Sequence, residues 1–208
     1  EIKKMGQNQE EENQGVALIQ EEVPVPLLPR FLAGEEELRG SELGVAYHKV
    51  LQLLDLKHIS KKEDIELQLE KMVEEQKLSK EAKESIRLVL IEKFLQSGIG
   101  KRMIHAHKEG RLYRERPFVI GVKAKQIKES FDSEEMVLVQ GIMDAFFEEE
   151  GEIILVDYKT DYVKSEKELR NRYRMQMDYY TQALEMITGK KVKERILYAI
   201  TLGKEIVF

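Results

Sequence analysis

The sequence of 208 residues contains no cysteine. Disulfides, thiolate zinc sites, iron–sulfur clusters and cysteine nucleophiles are therefore excluded. Any metal must be held by oxygen and imidazole nitrogen, which points to hard cations. The sequence also lacks an apolar run long enough to cross a bilayer, and its opening, Glu1-Ile2-Lys3-Lys4, has neither an initiator Met nor the apolar core of a signal peptide. The expectation is a cytoplasmic chain with no membrane partner, cut from a longer polypeptide. There is no internal repeat. A net charge of −5 argues against a protein that coats nucleic acid by bulk electrostatics, but leaves room for a local basic groove.

With 42% hydrophobic residues the chain can bury one substantial core. Residues 1–40 read as a flexible or extended arm, polar and acidic at first and then carrying Pro24, Pro26 and Pro29. From Ser41 the spacing of Tyr47, Val50, Leu51 and Leu54 predicts a helix over about 42–56. Further helices are expected over 62–76 and 79–97, the second opened by Ser79 and ended by Gly98 and Gly100, then a short one over 101–109. After Gly110 the period becomes that of strands. Segments 112–128, 135–148 and 152–158 are rich in Val, Ile, Phe and Tyr, with Glu149-Glu150-Gly151 as a hairpin turn, and predict an antiparallel meander. A helix over 166–187 and strands over 195–201 and 205–208, joined at Gly203, close the chain. This order predicts an α/β layer with a central mixed sheet and appended helices.

Chemistry concentrates where the strands end. In Val156-Asp157-Tyr158-Lys159 the residues two apart share a face, so Asp157 and Lys159 project together. Antiparallel pairing with Gly141-Ile142-Met143-Asp144 would set Asp144 beside Asp157, and two such carboxylates repel unless a cation neutralises them. A divalent ion there suits phosphodiester cleavage, with Lys159 stabilising charge at phosphorus or positioning the attacking water. A surface hairpin with ordinary charges is the other meaning of a lone D-x-K triplet. Gln176 and Tyr180, four apart, share a helix face with Tyr173, a face that touches either the site or simply core. The basic run Lys167-Glu-Leu-Arg170-Asn-Arg172-Tyr-Arg174 reads either as a track for phosphates or as a solvated helix face. Glu115 has three readings: anchoring the helical segment, pairing with an Arg, or approaching the metal. The structural one is adopted. His58, His105 and His107 are read as surface residues.

Together, Gly44-Val45-Ala46-Tyr47-His48, Arg114-Glu115-Arg116-Pro117-Phe118, Gly141-Ile142-Met143-Asp144, Asp157-Tyr158-Lys159-Thr160, and Gln176 with Tyr180 resemble the motifs of the PD-(D/E)xK nucleases in their order. The resemblance is to the RecB-like branch found in the AddA and RecB subunits of bacterial helicase–nucleases, and it runs from about residue 41 to the end. It implies a restriction-endonuclease-like core over about 111–208 with a helical annex over 41–110. It also implies a Mg²⁺ or Mn²⁺ ion held by His48, Asp144, Asp157 and the Tyr158 carbonyl. Lys159 would be the catalytic lysine, and Gln176 and Tyr180 the Q-x-x-x-Y element. Tyr173, Arg170, Arg172 and Arg174 would support the site or the DNA. Gly141-Ile142-Met143-Asp144 lacks a proline before its aspartate, as is usual in this branch.

Several relatives, AddB among them, brace this fold with four cysteines around an iron–sulfur cluster, so a chain with none is more similar to the AddA type. The resemblance then implies a deoxyribonuclease, an exonuclease acting on single-stranded DNA in double-strand break repair and recombination. Its partners would be the remainder of a helicase chain and a second, AddB-like subunit. No G-x-x-x-x-G-K-[ST] occurs, so ATP hydrolysis would belong to that remainder. The competing expectations are a catalytically silent nuclease-like domain that binds DNA or a partner, and a restriction-type endonuclease acting alone.

Overall fold

The computed structural model describes residues 35–124, 134–161 and 165–208, with side chains in the first helix from residue 42 onward. Five strands form one sheet in the order β1-β2-β3-β4-β5: β1 Leu112–Lys123, β2 Met136–Glu149, β3 Glu152–Lys159, β4 Val192–Ala199 and β5 Lys204–Val207. β1, β2 and β3 are an antiparallel meander, β3 and β4 run parallel, and β4 and β5 are antiparallel. The sheet is thus mixed, as expected. The parallel pair requires a crossover, supplied by the long helix α6, Glu166–Thr188.

The sheet separates two layers. On one face pack α1 (Glu35–Leu53), α2 (Lys62–Glu74), α3 (Lys80–Ser85), α4 (Leu88–Gln96) and α5 (Gly98–Lys108). They bury Tyr47, Val50, Ile91, Phe94 and Met103 against Phe147, Ile154, Val156, Tyr158 and Tyr198 of the strands. On the other face α6 sets Met177, Tyr180, Ala183 and Leu184 against Ile153, Leu155 and Phe118. β3 is therefore covered on both sides, which is why it reads as the nearly unbroken apolar run Ile153-Ile154-Leu155-Val156.

Several boundaries differ from the sequence reading for identifiable reasons. α1 begins at Glu35, so residues 35–40 are helix rather than arm, while residues 1–34 and the expected strand end 125–128 lie outside the described residues. α1 stops at Leu53 because Asp55 turns its carboxylate onto the Lys57 N–H and caps a 3₁₀ turn, Leu56–His58. The helix expected over 79–97 is two helices. The Ser85 hydroxyl turns back to the Ala82 carbonyl, Ile86 is drawn into the core, and the Arg87 N–H is taken by the Tyr47 hydroxyl at 2.9 Å. Tertiary bonds here override helix propensity. Gly98 opens α5 instead of ending its predecessor, because Ser97 caps the Gly100 N–H and Glu205 of β5 reaches the Ile99 N–H at 2.8 Å.

β1 and β2 change faces part-way along. Near the hairpin, Ala145 and Phe147 point to the five-helix layer, yet Met143 and Val139, of the same parity, point to α6. The register is the same from Leu112↔Phe147 to Lys123↔Met136, and within it only the Glu115 and Asp144 positions are unpaired. The change occurs where Glu115, opposite Asp144 in that register, takes a left-handed backbone with φ 49°. β2 and β3 also part here, Ala145↔Val156 being their last pair toward the strand ends that carry the motifs. Beyond it β2 stays with β1 and β3 with β4, leaving a fork in the sheet.

Candidate metal centre at the fork in the sheet

The fork gathers residues that are far apart in sequence. Asp144 leaves β2 at its mouth, and its carboxylate accepts the Tyr158 N–H at 2.8 Å across the gap while its other oxygen meets His48 Nδ1 at 3.0 Å. In a strand the N–H and C=O of one residue face the same edge, so the Tyr158 carbonyl also faces the fork. Its ring does not: it lies in the core beneath the five-helix layer, edge-on to Phe94 and to the His48 ring. Asp157, wholly buried, has one oxygen bound by Gln176 Nε2 at 3.1 Å and the other 2.8 Å from Lys159 Nζ. That second contact is an ion pair whose angles fall short of a good hydrogen bond.

Two motif glycines are explained by close approach. A Cβ on Gly44 would sit 3.0 Å from the Thr160 hydroxyl, so glycine lets α1 lie on the end of β3 and present His48, one turn on, to Asp144. A Cβ on Gly141 would sit 2.8 Å from the Phe118 ring, with the Tyr180 ring just beyond. Packing against Gly141, Tyr180 donates to the Ile142 carbonyl at 2.9 Å and accepts from Gln176 at 2.8 Å. The four-residue spacing of Gln176 and Tyr180 thus forms one hydrogen-bonded chain from α6 to both walls of the fork.

Burial and charge push the groups apart. Burial would raise Asp144, but the hydrogen bond and charge of His48, with Lys159 and the Tyr158 N–H, outweigh it and hold its carboxyl below the usual range. In Asp157 burial dominates the charge of Lys159, and the like charge of Asp144 adds to it, raising the carboxyl to about 6. Burial also raises Glu115, aided by Asp144. His48 is lifted in spite of burial by its bond to Asp144, and Lys159 is lifted in spite of burial by Asp157 and Asp144. Neighbouring carboxylates driven in opposite directions are the electrostatic mark of a functional cluster.

The structure brings His48, Asp144, Asp157, Lys159, Gln176 and Tyr180 together, and adds Glu115. The ligating atoms of His48, Glu115 and Asp144 lie within 4.8 Å of one another, a grouping that does not include Asp157. Glu115 therefore approaches the candidate metal position rather than anchoring the helical layer. The anchoring is done by its neighbour Arg114, which donates to the Leu51 and Leu54 carbonyls at 2.9 and 2.7 Å. An imidazole and two carboxylates whose ligating atoms converge, with the buried Asp157 carboxylate beside them, fit a hard divalent cation.

Of the basic run on α6, Arg170 is bound to the Val207 carbonyl and lies over the Phe208 ring. Arg172 is held by Asp161 and Glu168, each at 3.1 Å. Arg174 is exposed, and among the described residues no carboxylate pairs with it. His58 and His105 are exposed as expected, but His107 is half-buried with Nε2 3.4 Å from Asp55. No helix among the described residues is long and apolar enough to cross a membrane.

An ATP-dependent helicase/nuclease subunit from Lachnoclostridium phytofermentans is 35% identical over 87% of this chain and 16% of its own length. The protein of the same name from Clostridium botulinum strain Loch Maree is 40% identical over 86% of this chain and 14% of its own. That of Ruminiclostridium cellulolyticum is 41% identical over 85% and 14%. The chain thus spans about a seventh of the length of these relatives. Residues 26–205 match the sequence profile of the PD-(D/E)XK nuclease superfamily, and the chain belongs to that superfamily.

Proposed function

We propose that this chain hydrolyses DNA phosphodiester bonds with a Mg²⁺ or Mn²⁺ ion held by His48, Asp144, Asp157 and the Tyr158 carbonyl, with Glu115 as a further oxygen donor. The observation that carries the reading is the convergence of an imidazole, three carboxylates and a lysine on one fork in the sheet, from four separate elements. When bound, a divalent cation supplies Lewis acidity toward the phosphate and acidifies the attacking water. Lys159 then offsets the negative charge growing on the phosphate oxygens as water adds and the sugar oxygen departs. Gln176 holds Asp157 by one oxygen and leaves the other for the cation, while Tyr180 fixes Gln176 against β2. Arg174 is exposed and, among the described residues, has no carboxylate paired to it, so of the arginines of α6 it is the one whose charge is uncommitted.

Within the longer polypeptide that its relatives suggest, the chain would act as an exonuclease on single strands delivered by a helicase motor outside it. A second, AddB-like subunit would be its partner, in the cytoplasmic repair of double-strand breaks. The test is cleavage of single-stranded and duplex DNA by the chain with Mn²⁺, with Mg²⁺ and with chelator. We expect metal-dependent cleavage favouring single strands, reduced at least about 100-fold in Asp157→Ala. Equal rates in Asp157→Ala and the parent would overturn the assignment. Binding without cleavage would indicate a silent domain, and cutting confined to defined duplex sequences would indicate a stand-alone endonuclease.

A further inference from the structure

Lys159 has a second neighbour besides Asp157. Its Nζ lies 4.7 Å from the centre of the Tyr173 ring, over the face of the π system. The Tyr173 hydroxyl is bonded to Asp161 Oδ2 at 2.8 Å. Asp161 stands two residues beyond Lys159, where β3 has ended, and is itself clamped. Arg172 holds its other oxygen at 3.1 Å and the Thr201 hydroxyl donates to its carbonyl at 3.2 Å. The result is a closed circuit of Lys159, Asp161, Tyr173 and the strand end that joins them, resting on a loop from the far side of β4.

We propose that Tyr173, oriented by Asp161, is a positioning residue that seats the Lys159 ammonium for catalysis. The proposal rests on the reading of Lys159 as the catalytic lysine. Held by Asp157 alone, the ammonium would face a difficulty once a divalent cation draws on the same carboxylate: its anionic partner would be shared and the cation would repel it. The Tyr173 ring attracts a cation through its quadrupole and carries no net charge to be claimed by the metal, so it keeps the ammonium within reach of the phosphate. Fixing a flexible four-carbon side chain in the one position that reaction requires otherwise costs conformational entropy at that step. Asp161 keeps the ring face turned toward Nζ. The sequence motifs single out Lys159 but not Asp161.

The test uses Tyr173→Leu, Tyr173→Phe and Asp161→Asn, with Lys159→Ala as reference, in Mn²⁺-dependent cleavage of single-stranded DNA and in NMR of protein carrying ¹³C-labelled lysine. In the parent the Lys159 ε-methylene protons, assigned by their loss in Lys159→Ala, should be shifted upfield by the Tyr173 ring current. Tyr173→Leu should abolish that shift and lower kcat about tenfold or more with KM for DNA unchanged. Tyr173→Phe should restore most of the shift and most of kcat, and Asp161→Asn should fall between. A parental Lys159 signal without a ring-current shift, or a folded Tyr173→Leu with parental kcat, overturns the proposal. A change in KM alone also overturns it and makes Tyr173 a DNA contact. Should Lys159→Ala cleave like the parent, the reading of Lys159 fails first and the proposal falls with it. A tenfold or greater loss in Lys159→Ala beside an active Tyr173→Leu removes the proposal alone.

Discussion

At the residue scale, Glu115 is the least ordinary position in the sheet. A non-glycine side chain with φ 49° costs about 1–3 kcal/mol and persists only where its surroundings demand it. Here it turns the carboxylate toward His48 and Asp144. Glu115→Gly should therefore unfold at a higher temperature than Glu115→Ala, by the equivalent of about 1 kcal/mol, while both lose Mn²⁺ affinity. Equal melting temperatures would show the backbone to be unstrained. No residue type in Arg114-Glu115-Arg116-Pro117-Phe118 signals a positive φ, and alternation along the strand gives no reason to single Glu115 out. Approach to the metal is one of three readings of Glu115, and nothing in these residue types decides in its favour. That Asp144, Asp157 and Lys159 lie at neighbouring strand ends was legible from hairpin register and a two-residue period, but the parting of β2 and β3 before Asp144 and Asp157 could pair was not.

Asp157 provides a second residue-level test. A carboxyl near 6 in the folded chain, against about 3.9 unfolded, binds more protons folded than unfolded. Its favourable contribution is complete below about pH 4 and is lost as pH rises through 6. In cation-free protein, Asp157→Asn should accordingly gain stability relative to the parent between pH 4 and 7, by up to about 3 kcal/mol in urea unfolding. A difference that does not change over that range would mean that Lys159 fully compensates the buried charge.

At the scale of elements, His48 depends on how α1 is held. Gly44 brings the helix down onto Thr160, and Arg114 binds two carbonyls at its C-terminal end. Arg114→Met keeps much of the side-chain volume but leaves those carbonyls without their donor, at a cost of about 1–3 kcal/mol. Hydrogen exchange of the Leu51–Asp55 amides should accelerate and cation affinity should fall. Unchanged exchange there would show that packing alone fixes the helix end. Helical periodicity revealed α1 and α6 but not what their polar residues do. Arg170 and Arg172 look like partners for phosphate, whereas the fold assigns them to Val207, Asp161 and Glu168. The break between α3 and α4 was likewise hidden, because the Tyr47 hydroxyl that stabilises it lies 40 residues away.

For the whole molecule, the mixed sheet is a device for separating two strands at a chosen place. The hairpin holds β2 and β3 together at one end, while β1 and the crossover partner β4 draw them apart at the other. Helices from opposite layers close over the gap: α1 contributes an imidazole and α6 an amide and a phenol. A net charge of −5 is compatible with the proposed action on DNA, because under that proposal the contact with phosphate is made locally, by a cation and Lys159 in the fork. The most direct measurement is anomalous scattering from crystals soaked with Mn²⁺. A single strong peak is expected in the fork, within ligand distance of His48, Asp144 and Asp157, with Glu115 beside it. A fork without a peak, or a peak bound by carboxylates elsewhere, would contradict it.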